Sequence, residues 1–168
     1  MRLNVETLAD EYRIISLGES DIPQLYRLCI SNPRYYTYLK CEPELESLKG
    51  ELTALPPGKN LDDKYLIGFY EGEQMIAILD LITGYPDEKT AFIGWFMVDG
   101  VLHGQGIGTN LVERLFGWLR ERGFLAVRLG CIVENAEGRR FWEKHGFSYT
   151  GKQWNTEDYT VLVMERNL

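Results

Sequence analysis

The sequence predicts one α/β domain, in which a mixed, mostly antiparallel sheet of about seven strands is flanked by about four helices. Three observations carry that prediction. Apolar runs at residues 65–70, 75–82 and 91–98 are joined by short turns, as in antiparallel neighbours. The period then changes, with Leu111, Leu115, Trp118 and Leu119 at helical spacing. A further apolar run at residues 124–133 follows that helix, and a strand–helix–strand unit of this kind sets its two strands parallel. A chain of 168 residues suits one domain with a real core and leaves little room for a second, so residues 1–168 are read as a single unit.

Taken in order, residues 12–17 read as a short first strand. Ser20 or Asp21 caps a helix carrying Ile22, Leu25, Leu28 and Cys29, with Pro23 tolerated in its first turn. Asn32 and Pro33 break that helix. A second helix is expected over residues 43–55, ended by Pro56-Pro57-Gly58. The turn Glu71-Gly72-Glu73 joins the strands at 65–70 and 75–82, and a loop at 84–89 leads to the strand at 91–98. The long amphipathic helix begins near Ile107 and stops at Gly123. Residues 136–145 form the next helix, closed by Gly146, and the last strands lie at Tyr149 and at 159–164.

The bulk numbers exclude several function classes. A net charge of −7 argues against nucleic acid as the main partner, because phosphate contacts need a basic face. The charge is uneven: residues 1–100 hold 17 acidic and 9 basic side chains, and residues 101–168 hold 8 and 9. A cationic ligand is thus more welcome near the first part and an anionic one in the second. No apolar run approaches membrane-spanning length, and the acidic, mixed start is unlike a signal peptide. Cys29, Cys41 and Cys131 are odd in number and widely spaced, which reads as free thiols in a reducing cytoplasm and offers no metal site. A homodimer is compatible with this composition.

The most informative segment is His103-Gly104-Gln105-Gly106-Ile107-Gly108, set between the strand at 91–98 and the long helix. Glycines at alternate positions let backbone come close to a ligand and expose its N–H groups. The helix start adds unsatisfied amides and a positive dipole end. No acidic side chain occurs from His103 to Val112 to oppose a phosphate. A dinucleotide fold needs GxGxxG and an acid about twenty residues on. Here the glycines are spaced differently and the next strand carries no acid before Glu134. A Walker loop needs a lysine that this turn lacks.

The segment resembles the Gln/Arg-x-x-Gly-x-Gly/Ala signature of the GNAT acyl-CoA N-acyltransferase superfamily, with His103 at its first position. A second block of that family matches downstream: Asn135-x-x-Gly138-x-x-Phe141-Trp142-Glu143-Lys144-x-Gly146-Phe147. With both blocks in order, and strand and helix order agreeing from about Tyr12, the chain is identified as a member of that superfamily. The resemblance implies acetyl-CoA as co-substrate, with no metal. Its pyrophosphate is expected on the amides of Gln105, Gly106, Gly108 and Thr109, its pantetheine arm along Phe96, Met97 and Val98. The strands ending at Val98 and Val133 are expected to splay around the thioester. Asn135, Trp142 and Lys144 are expected to border the donor, Asn135 doubling as a helix cap.

The resemblance implies acetyl transfer to a primary amine of a small molecule or a protein. A strand amide would stabilise the oxyanion. The coenzyme A thiolate, with a pKa of about 8.5, leaves readily, whereas an amine of pKa about 10.4 needs a base or water chain to take its proton. Many family members carry a glutamate where Phe92 stands and a tyrosine acid where Trp142 stands. The usual acid and base therefore do not carry over. Asp80, interrupting an apolar run, and Glu134, at a strand end, are the substitute candidates, each with a structural alternative: an ion pair for Asp80, a helix start for Glu134. Tyr35, Tyr36, Tyr38 and Tyr85 are candidates to line a pocket for a small cationic amine. Phe92 and Trp142 also keep alive a second reading, an acyl-CoA-binding sensor or subunit with little catalysis.

Overall fold

The computed structural model describes residues 2–168. Seven strands form one sheet in the order β1-β2-β3-β4-β5-β7-β6. They are β1 (Arg13–Ser16), β2 (Lys64–Glu71), β3 (Gln74–Thr83), β4 (Thr90–Val98), β5 (Ala126–Ile132), β6 (Ser148–Asn155) and β7 (Thr160–Asn167). Every neighbouring pair is antiparallel except β4 and β5, joined by the helical crossover that the sequence predicts. The strand foreseen at Tyr149 runs to Asn155. Its pairing with β7 is interrupted between Tyr149 and Gln153, where Gly151 turns at φ +85°. That break hides its alternation from a sequence pattern.

Five α-helices are described rather than about four: α1 (Ile22–Ile30), α2 (Pro33–Leu39), α3 (Leu45–Glu51), α4 (Ile107–Glu121) and α5 (Ala136–Lys144). The additional one is α2. Asn32 and Pro33 do end α1, but the fixed φ of proline suits the first turn of a new helix, and Pro33 starts one. Helix α3 is shorter than the expected span 43–55.

Both faces of the sheet are covered. On one, Leu111, Leu115, Phe116 and Leu119 of α4 pack on Leu79, Ile93, Val127 and Leu129, all buried. On the other, Leu25, Leu28 and Leu48 from α1 and α3, with Tyr36 of α2, meet Ile78, Trp95 and Met97. Each large side chain so buried contributes about 1.5–3 kcal/mol, which explains why β2 and β3 read as near-continuous apolar runs.

The sheet opens at one place. β4 and β5 pair only from Thr90–Ile93 to Ala126–Leu129, while β4 continues to Val98 and β5 to Ile132. At the same point the β3–β4 register slips, Asp80 facing Trp95 and Leu81 facing Ile93. Gly94 is the extra residue of this bulge, and bulges bend and twist the strand that holds them. β4 thus turns away from β5 beyond Ile93, which makes the expected splay.

Candidate functional site

A cleft of about 780 Å³ occupies the gap between β4 and β5. At one end lies the glycine turn. Gly104 and Gly106 adopt left-handed φ values of +81° and +80°, and Gly106 precedes α4 without a side-chain cap. The first intrahelical bond is donated by the Asn110 amide to the Gly106 carbonyl, so the amides of Ile107, Gly108 and Thr109 have no partner within the helix. No acid occupies the first turn of α4. This is the arrangement that receives an anion.

The turn is fixed from behind. Asp99, fully buried, accepts from Arg27 Nη1 at 2.8 Å, Gln74 Nε2 at 3.2 Å and the Val101 amide at 3.1 Å. Burial alone raises its pKa, but Arg27, the Val101 amide and Gln74 outweigh burial and hold the carboxyl below the usual range. The Gly100 amide donates to Ser31 Oγ at 2.9 Å, and a Cβ on Gly100 would stand 1.8 Å from the Ser31 carbonyl oxygen. The Val98 carbonyl lies 3.0 Å from both Asn32 Nδ2 and His103 Nε2. His103 therefore holds the end of β4 through its side chain, a link that no sequence spacing discloses.

Every donor-side residue expected from the sequence lines the cleft except Gln105, which is exposed beside it: Phe96, Met97 and Val98, then His103, Gly104 and Gly106–Thr109, then Asn135, Trp142 and Lys144. Phe96 stacks on Phe141 and meets Trp142 edge-on. Asn135 Oδ1 accepts from the Gly138 amide at 2.9 Å, so it does cap α5. A Cβ on Gly138 would lie 2.6 Å from Asn135 Nδ2, so any side chain there would displace the Asn135 cap. Trp142 supplies an aromatic wall and no titratable hydroxyl.

The structure divides the four tyrosines expected to line an acceptor pocket. Tyr35 and Tyr38, on α2, line the cleft. Burial pushes the Tyr35 phenol well above its ordinary pKa, with Glu51 adding to the shift. Tyr36 points into the α1–α3 core, where burial and Cys29 raise its phenol. Tyr85 lies outside the cleft and packs edge-on against Phe92 at 5.5 Å. The sequence points to the stretch 32–39 without giving Asn32 or Arg34 a role, and it misses Gly94, Trp95 and Glu137; all five are on the cleft wall. A helix starting at Pro33 was the available signal for Arg34.

The two candidate bases differ in setting. Glu134 is exposed and does not line the cleft. Asp80 is buried, with Oδ2 receiving Lys64 Nζ at 2.7 Å, while that ammonium also donates to the Ala54 carbonyl at 2.9 Å. Burial pushes the Asp80 carboxyl above its ordinary pKa against the opposing pull of Lys64. Its Oδ1 has no partner, nor has Trp95 Nε1 on the facing strand position. Asp80 does not itself line the cleft, but Gly94, which does, lies against its carboxylate: a Cβ on Gly94 would sit 2.8 Å from Asp80 Oδ2. Cys29, Cys41 and Cys131 are free, as expected, and no group of three potential metal ligands occurs among the described residues. No described helix is long and apolar enough to cross a membrane.

Comparison with known proteins places these features in a family. The acetyltransferase (GNAT) family model matches residues 25–147. No curated protein sequence matches the chain. Among solved structures, an acetyltransferase from Thermus thermophilus is similar at a TM-score of 0.75 and 21% identity, with 94% of this chain and 97% of that one covered. A PaiA N-acetyltransferase from Thermoplasma acidophilum, in complex with coenzyme A, is similar at 0.65 and 20%, with 94% and 99% covered. A ribosomal-protein-alanine N-acetyltransferase from Escherichia coli gives 0.66 and 18%, with 93% of each chain covered.

Proposed function

We infer that this chain, which belongs to the acetyltransferase (GNAT) family, moves an acetyl group from acetyl-CoA to a primary amine by direct attack on the thioester. The reading takes residues 1–168 as one acyltransferase unit. The observation that carries it is the gap between β4 and β5 running to an uncapped glycine turn at the start of α4. The relative that is complexed with coenzyme A supports the same donor.

In this reading the pyrophosphate rests on the amides at 105–109 and the pantetheine arm pairs along Phe96–Val98. Asn135, Trp142 and Lys144 border it. The amine nitrogen attacks the thioester carbon, the oxyanion takes an N–H of β4, and the carbon–sulfur bond breaks to release the thiolate, which takes up the second proton given off by the nitrogen as the amide forms. That thiolate, of pKa about 8.5, needs little help to leave. The proton of the ammonium, of pKa about 10.4, has to be removed before attack. We assign its removal to Asp80, reached past the bare backbone of Gly94. Glu134 is the weaker candidate because it stands outside the cleft.

The acceptor approaches along Tyr35 and Tyr38, whose rings and the acidic first hundred residues suit a small cationic amine. The relative acting on ribosomal-protein alanine supports an amine acceptor without settling its size. Free cysteines favour a reducing, cytoplasmic setting. Calorimetric titration with acetyl-CoA, followed by release of free thiol across a panel of amines, tests the proposal. Binding with amine-dependent thiol release is the expected result; no binding refutes it. Phe92 and Trp142 favour one second reading, a sensor that binds acyl-CoA and turns over nothing. Tight binding with no thiol release from any amine would establish that one instead.

A further inference from the structure

Arg34 and Glu137 form an ion pair across 103 residues of sequence, and both line the cleft. They stand on opposite faces of the sheet. Arg34 lies in the first turn of α2, which belongs to the α1–α3 layer, and Glu137 in the first turn of α5, which packs with α4. Helices on opposite faces are normally kept apart by the sheet. Here they meet because β4 and β5 stop pairing at Ile93 and Leu129. The pair therefore bridges the gap in which the donor arm is placed.

Both ends of the bridge are mounted on fixed points. Two residues before Arg34, Asn32 is buried and its Nδ2 donates to the carbonyls of Leu28 at 3.1 Å and Val98 at 3.0 Å. Two residues before Glu137, Asn135 caps α5 through the Gly138 amide. The two side chains, about two-thirds and half exposed, are free to part, while their helix starts are not.

We propose that Arg34 and Glu137 are a positioning pair for the donor: a strap that parts to admit acyl-CoA and closes over its pantetheine arm, slowing its escape. The proposal rests on the reading of the cleft as an acyl-CoA site. An exposed ion pair is worth little, so the expected effect is modest and kinetic. The alternative role for Arg34, direct contact with an anionic donor, predicts a different pattern.

Stopped-flow measurement of acetyl-CoA dissociation separates these cases. Arg34→Ala and Glu137→Ala should each raise the dissociation rate about two- to fivefold. The double variant should be no faster than either single one, and added salt should accelerate the wild type more than the double variant. Exchanging the charges, Arg34→Glu with Glu137→Arg, should return the rate to within about twofold of wild type. Unchanged rates, additive effects of the two alanines, or a charge exchange slower to bind and faster to release than Arg34→Ala would overturn the strap. Failure of the wild type to bind acetyl-CoA would instead refute the donor assignment.

Discussion

Asp80 joins a stability argument to a catalytic one, and two substitutions separate them. Asp80→Asn leaves the Lys64 ammonium, 3% exposed, with a neutral amide and the Ala54 carbonyl as partners. Breaking one half of a buried pair costs about 3–5 kcal/mol, and at about 2–4 °C per kcal/mol the melting temperature should fall by roughly 6–20 °C. Replacing both partners with apolar residues, Asp80→Leu with Lys64→Met, removes the stranded charge and should recover stability to within about 1–2 kcal/mol, the Ala54 carbonyl being left unpaired. Thermal melts check that half. Thiol release then tests the catalytic half: with Asp80 as proton acceptor, the refolded double variant stays about 10²–10⁴-fold slow despite its restored fold. Because burial raises the Asp80 pKa, the wild-type rate should fall as pH drops through a value above the ordinary carboxylate one of about 3.9. The double variant should lose that limb. A stable double variant with wild-type turnover would show that Asp80 is structural, and an undiminished melting temperature for Asp80→Asn would refute the ion-pair reasoning itself.

Further outcomes follow from the supports of the glycine turn. Gly100→Ala drives a Cβ to 1.8 Å from the Ser31 carbonyl oxygen, so backbone has to move; loss of about 1–3 kcal/mol in a denaturant melt and weaker acetyl-CoA binding are expected together. Asp99, held below its ordinary pKa, contributes stability that is present above about pH 3.9 and is lost as pH falls through its lower folded value. Stability curves from pH 2 to 6 should therefore be flatter at the acid end for Asp99→Asn, at a lower overall level. His103→Ala removes one hydrogen bond to the Val98 carbonyl and should weaken acetyl-CoA binding by about two- to tenfold in a calorimetric titration, without changing the thiol-release pH profile.

The glycine-turn side of the cleft was legible in the sequence and the tyrosine side was not, and the difference is physical. In the proposed donor site backbone amides do the binding, and their geometry is written locally in Gly104, Gly106 and the helix that follows. Donor-side chains such as Phe96 and Trp142 are placed by regular strand and helix periods. Tyr35, Tyr36 and Tyr38 look equivalent on paper, yet one helical turn sends Tyr36 into the core and leaves its neighbours at the cleft. Reading Pro33 as a break rather than a helix start concealed that turn. Tyr85 was placed by loop position alone, and its contact with Phe92 draws it away.

Phe92 and Asp80 bear on one another through the same bulge. With Phe92 where the family resemblance implies a glutamate, β4 itself brings no acid to the gap. The slip at Gly94 sets Asp80 of the neighbouring strand opposite Trp95, two residues beyond Ile93, the last β4 residue paired with β5. A carboxylate is thus brought behind Gly94 from β3 instead of β4, buried beside Lys64. Such an arrangement needs glycine at position 94, since any side chain there meets the carboxylate. Gly94→Ala should accordingly reproduce the catalytic loss of the Asp80 variants while leaving Lys64 paired, and therefore with a smaller loss of stability. Normal turnover in that variant, with acetyl-CoA still bound, would place the proton acceptor elsewhere than Asp80.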